Sequence, residues 1–201
     1  MQLSEHDIAL QRLFAENREL IEKDAAPEVN AAREGAMEAF SKLGIPSSKV
    51  EAYKYTNLQA WFKAGYTQAY GLNGATSEAL KQFECNVHEL DSYTLFTVNG
   101  KFVAGSNVEA LPDGVEAGSF AELSKKHPEL LKRYYGSLAK VEEDGFVALN
   151  TLFATDGIFI YVPKGKVVEK PIQVVNVLTG EQDLMVNQRN LIVVEEQAQA
   201  R

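Results

Sequence analysis

FVALNTLFATDGIFIYVPKGKVVEKPIQVVNV, residues 146–177, is where the chain leaves helical patterning and turns strand-like. From Phe146 onward apolar and β-branched residues crowd together, and Ile158–Val162, Ile172–Leu178 and Asn190–Glu195 read as short strands. Pro163-Lys164-Gly165 and Leu178-Thr179-Gly180 punctuate them. The runs begin roughly 14 to 18 residues apart with no helix-length segment between them, which argues against alternating strands and helices. Such spacing fits stacked coils, although three runs do not establish a repeat, and an antiparallel sandwich fits it as well. Within Ile158–Val162, strand alternation puts Ile158, Ile160 and Val162 on one face and Phe159 and Tyr161 on the other.

Upstream, the periodicity is helical. Residues 4–25 place Leu10, Leu13, Phe14 and Ile21 on one face, with Asn17 as a polar intruder, and Ser4 and Asp7 stand at capping-box spacing. Pro27 suits the first turn of a second helix that carries Val29, Ala32, Ala36, Phe40 and Leu43 and stops at Gly44, before Pro46. Two adjacent amphipathic helices imply an antiparallel pair. Residues 46–66 are irregular, and Gly71–Ser77 is expected to be a loop. Tyr93–Val98 and Lys101–Ala104 flank Asn99-Gly100, a strong hairpin signal because both turn positions tolerate positive φ. Ser119 and Glu122 predict a short helix to about Lys126, and Pro128-Glu129 predicts another through Tyr135.

The 201 residues carry a net charge of −8, which repels nucleic acid on average, and there is no long Lys/Arg run. A single cysteine, Cys85, rules out an intramolecular disulfide and suits a reducing compartment. The acidic N-terminal stretch MQLSEHDIALQRLF is no secretory signal, and no apolar run approaches membrane-spanning length. The expectation is a soluble, cytoplasmic protein.

Candidate chemistry is sparse. Cys85 and His88 have the spacing of half a metal site, but His6 and His127 are the only other histidines and one thiolate cannot hold a cluster, so a half-buried cysteine is the plainer reading. Pro163-Lys164-Gly165-Lys166 lacks the glycine and hydroxyl of a phosphate loop and reads as a turn. Glu142-Glu143-Asp144 reads as a solvated turn rather than an acid–base pair. No nucleophile elbow is present. The sequence thus points to no catalytic, cofactor-binding or metal-ligating residue.

Two stretches resemble a known family. PSSKVEAYKYTNL, residues 46–58, is similar to the P-x-x-x-x-E-x-W-K/R-Y-T-x-L segment of SufD, with Tyr53 where tryptophan is frequent. The 146–177 stretch resembles the F-x-A-L-N, D-G-x-F-I-Y-V-P-K-G and E-K-P-I-Q segments shared by SufB and SufD. The motif positions are Pro46, Glu51, Tyr53, Lys54, Tyr55, Thr56, Leu58, Leu149, Asn150, Asp156, Gly157, Pro163, Gly165 and Pro171. The resemblance implies a helical and α+β region over residues 1–140. It implies the first coils of a right-handed parallel β-helix over 141–201, with a longer protein beyond. It also implies a non-catalytic scaffold subunit of the SUF iron–sulfur cluster assembly system, SufD-like rather than SufB-like. Its implied partners are SufB and the ATPase SufC, with SufS and SufE delivering sulfur; the iron–sulfur cluster and ATP belong to the parent complex. A coil stack cut at residue 201 would self-associate or fray at that end. A carbohydrate-active enzyme on a β-helix is the alternative from another class. In EAYKYTNL and the residues after it, Tyr53, Tyr55, Leu58, Trp61 and Phe62 are expected to form one anchoring cluster, with Tyr55 and Trp61 buried.

Overall fold

The structure is a computed structural model that describes residues 3–62, 67–68, 91–106, 108–180 and 184–201. The expected 71–77 loop and the Cys85–His88 pair lie outside these residues. The chain divides into two compact units that are not contiguous in sequence: residues 1–70, 127–155 and 181–187 form one, and 71–126, 156–180 and 188–201 the other.

The first unit is built on helices α1 (Glu5–Glu22) and α2 (Pro27–Leu43), as the periodicity predicts. Ser4 caps α1: Asp7 N–H donates to Ser4 Oγ at 3.2 Å, and Ser4 N–H donates to Asp7 Oδ2 at 2.7 Å. Asp7 is nevertheless buried, and its Oδ1 accepts Ile45 N–H at 2.8 Å, tying the exit of α2 to the start of α1. Leu10, Phe14 and Ile21 are buried, while Asn17 Nδ2 donates to Leu13 O at 2.8 Å and so satisfies the polar intruder. Gly44 closes α2 at φ +61, its N–H donating to Phe40 O.

The unit also holds the one-turn helix α3 (Leu58–Trp61), the helix α5 (Pro128–Tyr134), and the two-residue strands β1 (Thr67–Gln68) and β7 (Leu184–Met185), which pair in parallel. Its central helix, α6 (Gly145–Phe153), corrects the sequence reading that the chain is strand-like from residue 146. Asp144 caps it, Oδ1 accepting Phe146 N–H at 2.7 Å. Ala148, Leu149, Leu152 and Phe153 sink into the core with Phe14, Ala36 and Phe40. Because α6 is apolar on nearly every face, it offers no polar stripe from which a helical period can be read. A Cβ on Gly145 would collide with the Gly44 carbonyl oxygen, so glycine lets α6 start against the end of α2.

The second unit holds the hairpin β2 (Tyr93–Val98) and β3 (Lys101–Ser106), turning at Asn99 (φ 49) and Gly100 (φ 79) as anticipated. β4 (Glu116–Ser119) leads into α4 (Phe120–Lys126), where Glu122 N–H donates to Ser119 Oγ at 3.2 Å. β5 (Ile158–Val162), β6 (Ile172–Val177) and β8 (Leu191–Val194) complete it. Ile158, Ile160 and Val162 are buried as the aliphatic face; Phe159 is buried too, its ring stacked 6.5 Å from that of Phe120.

These strands do not form the expected right-handed parallel β-helix. Among the described residues they make two three-stranded mixed sheets, ordered β3-β2-β6 and β4-β5-β8, neither closed nor a solenoid. The three runs read as successive rungs fall in different sheets: β6 pairs with the hairpin strand β2, while β5 pairs with β8. Antiparallel strands, β3 and β4, occupy one side of β2 and β5, where a coil stack would need another parallel rung.

Candidate functional site: the Tyr53 anchor and the strap it holds

From Gly44 to Phe62 the chain runs as a strap over the first unit. Ile45 and Pro46 are buried at its start. Val50 N–H donates to Ser47 O, a 3₁₀ turn spans Glu51–Tyr53, and Thr56 N–H donates to Tyr53 O at 2.9 Å. Tyr53 points inward. Its hydroxyl donates to Asp144 Oδ2 at 2.6 Å, and its ring meets Phe146 edge-on at 5.8 Å. Phe62 packs on the same Phe146 ring at 5.9 Å, and Leu58 is buried. Burial pushes the Tyr53 phenol up to about 12, and the Asp144 carboxylate beside it adds to the shift.

Tyr55 and Trp61 correct the expected clasp. Tyr55 is 93% exposed and Trp61 63% exposed, with Val50 also outward. The strap alternates, with Tyr53, Leu58 and Phe62 holding it down and Val50, Tyr55 and Trp61 displayed. Lys54 Nζ lies 5.6 Å from the Tyr55 ring centre and 3.7 Å from Glu51 on the exposed side. Glu51, Lys54 and Thr56 are all solvent-facing.

The remaining motif positions are structural in geometry. Leu149 lies in the core of the first unit, and Asn150 O accepts Ala154 N–H at the end of α6. In the second unit, buried Asp156 accepts Ser119 Oγ at 2.9 Å, Ala121 N–H at 3.0 Å and Phe102 N–H at 3.0 Å. One carboxylate, two residues before β5, thereby joins β3, the end of β4 and the start of α4. A Cβ on Gly157 would strike the Arg189 carbonyl, so this position requires glycine. Pro163 and Gly165 form the expected turn: Lys166 N–H donates to Pro163 O, and Gly165, at φ +73, donates to Glu196 O. Pro171 O accepts Tyr93 N–H at 3.0 Å.

Sequence reasoning misses two residues. Asp144, expected in a solvated turn, caps α6 and receives Tyr53; an aspartate before Gly and an apolar run is the N-cap signal that finds it. Arg33 is buried, its guanidinium donating to Thr151 O at 2.7 Å, Ala154 O at 2.8 Å and Leu152 O. Those carbonyls close the negative end of α6, where a cation is favoured. Burial lowers the Arg33 pKa from its ordinary value, opposed by Tyr135 and Glu22. Asp7 fills the capping role its spacing predicts and is buried as well.

Chemically, these groups position backbone and display aromatic rings. Among the described residues no group of three or more His, Cys, Asp and Glu has a metal-holding arrangement, and no helix is long and apolar enough to cross a membrane.

Comparison with known proteins agrees with the motif segments. Residues 4–174 match the family described as SufBD protein N-terminal region. The chain is 32% identical over 99 residues to the iron-sulfur cluster assembly SufBD family protein ABCI9 of Arabidopsis thaliana, covering 49% of this chain and 21% of that protein. It is 40% identical over 53 residues to the SufBD family protein slr0074 of Synechocystis, covering 26% and 11%. It is 31% identical over 111 residues to the chloroplastic SufBD family protein ABCI8 of Arabidopsis thaliana, covering 53% and 18%. The chain thus spans about a fifth or less of the relatives it matches. With most of its length inside the family's N-terminal region, the chain belongs to the SufB/SufD family.

Proposed function

We propose that this chain serves iron–sulfur cluster assembly as the N-terminal part of a scaffold subunit, with the cluster as cargo. The match over residues 4–174 carries the reading, and the assembly role in the names of the relatives supports it. Its contribution is architectural rather than catalytic: the buried polar groups described above hold backbone in place. The segment Pro46–Leu58, with its Glu51, Lys54-Tyr55-Thr56 and Leu58, favours a SufD-like over a SufB-like subunit. On this reading it works with SufB and the ATPase SufC, receives sulfur through SufS and SufE, and operates in a reducing, cytoplasmic setting.

Co-expression of the whole reading frame with SufB and SufC tests this. Co-purification of the three proteins, with cluster assembly lost when the chain is left out, is the expected result. A stable SufB–SufC assembly that excludes the chain and makes clusters without it defeats the proposal.

A further inference from the structure

The hairpin turn at Asn99 does more than reverse the chain. β2 pairs in parallel with β6 from Tyr93 opposite Ile172 to Val98 opposite Val177, and Asn99 N–H donates onward to Val177 O at 2.9 Å. The main chain then leaves for β3, but the Asn99 side chain carries the ladder on. Its Nδ2 donates to Thr179 O at 2.9 Å, and its Oδ1 accepts Thr179 N–H at 3.0 Å. One carboxamide thus stands in for a peptide group and satisfies both backbone groups of a residue beyond the end of β6. Asn99 is 2% exposed, whereas Thr179 lies at the surface.

Asparagine followed by glycine is also especially open to self-modification, because glycine has no Cβ to shield its amide nitrogen. Attack of Gly100 N on Asn99 Cγ forms an N–Cγ bond and breaks the Cγ–Nδ2 bond. The Gly100 amide proton leaves with Nδ2 as ammonia, and water opens the resulting succinimide to aspartate or isoaspartate. In the folded chain the carboxamide that must swing toward Gly100 N is held by Thr179 at both ends, and the leaving Nδ2 is itself the donor to Thr179 O. We propose that Asn99 is a deamidation site gated by its clamp on Thr179, closed while the clamp holds and open when the end of β6 lets go. The change is one-way. An aspartate has no N–H for Thr179 O, and an isoaspartate adds a methylene to the main chain of the turn, so neither product re-forms the clamp. Each opening that reacts therefore leaves a permanent mark and a loosened β6 end.

Peptide mapping by mass spectrometry after incubation in mildly alkaline buffer tests it, reading Asn99 separately from Asn73-Gly74, the other Asn-Gly pair of the sequence. Asn99 in the folded chain should deamidate about tenfold or more slowly than in the same chain unfolded in urea. Thr179→Pro removes the N–H that Asn99 Oδ1 accepts, and with an unchanged circular dichroism spectrum it should speed the folded reaction several-fold. A second readout needs no variant. In urea too dilute to unfold the chain, deamidation at Asn99 should rise together with hydrogen exchange at the Thr179 amide, ahead of the far-ultraviolet signal. Deamidated chain, separated by its added negative charge, should exchange fast at Thr179 while Leu95, in the middle of β2, stays protected. Equal rates in folded and unfolded chain, a folded Thr179→Pro with the wild-type rate, deamidation that follows only the far-ultraviolet transition, or a deamidated chain still protected at Thr179 overturns the proposal.

Discussion

The Tyr53 hydroxyl donates at 2.6 Å to the carboxylate of Asp144 whose other oxygen caps α6 through Phe146 N–H. A motif tyrosine and a helix start 91 residues later thus share one acid. Tyr53→Phe should cost about 1–3 kcal/mol, the range for hydrogen bonds to charged groups. Urea unfolding measures the loss. Emission from Trp61, the only tryptophan and a residue of the strap, should shift at lower urea than the far-ultraviolet signal if the strap loosens first.

The same pair fixes an alkaline limit. Because the folded phenol titrates near 12 rather than near 10, its stabilisation is complete below about pH 10 and is lost as pH rises toward 12. Stability measured from pH 9 to 12 should therefore fall more steeply in the wild type than in Tyr53→Phe. Parallel curves would show that Tyr53 does not set that limit.

Arg33→Ala leaves the carbonyls of Thr151, Leu152 and Ala154 without their donor and opens space in a packed core. A loss of about 3–5 kcal/mol is expected, typical of breaking a buried charged contact. Arg33→Lys should recover little of it, since one ammonium cannot reproduce the guanidinium fork. Thermal unfolding of both variants distinguishes fork geometry from charge alone.

Asp156→Ala strands Ser119 Oγ and the N–H groups of Ala121 and Phe102 in a buried setting, at an expected cost of about 2–5 kcal/mol. Asp156→Asn keeps one acceptor oxygen and should lose less. Amide exchange is the sharper probe: protection at Ala121 and Phe102 should drop first.

Tyr55→Ala and Trp61→Ala should each change stability by less than about 1 kcal/mol, because both rings are largely in water. A loss of several kcal/mol in either would place that ring in the core.

Legibility followed locality. The α1–α2 pair, the Asn99-Gly100 hairpin and the short helix after Ser119 announce themselves through caps, turns and periods within a few residues. The mistakes involve residues whose partners are distant in sequence or whose patterns are degenerate. Tyr55 and Trp61 share composition with Tyr53 and Phe62, and nothing local says which rings point inward. α6 is too uniformly apolar to show its period. The strand runs lie where their composition puts them, but composition does not specify their partners: the pairing of β6 with β2 spans a long stretch of intervening chain.

Arg33 and Thr151 are 118 residues apart, which also sets a schedule during synthesis. At about 5–20 residues per second, a ribosome needs roughly 6–24 s to make that interval. Throughout it the emerging α1–α2 hairpin has neither α6 to cover its apolar flank nor carbonyls to receive its guanidinium. The nascent chain is therefore most exposed to aggregation before residue 154 clears the exit tunnel, and this is the window in which a ribosome-associated chaperone would have most to protect.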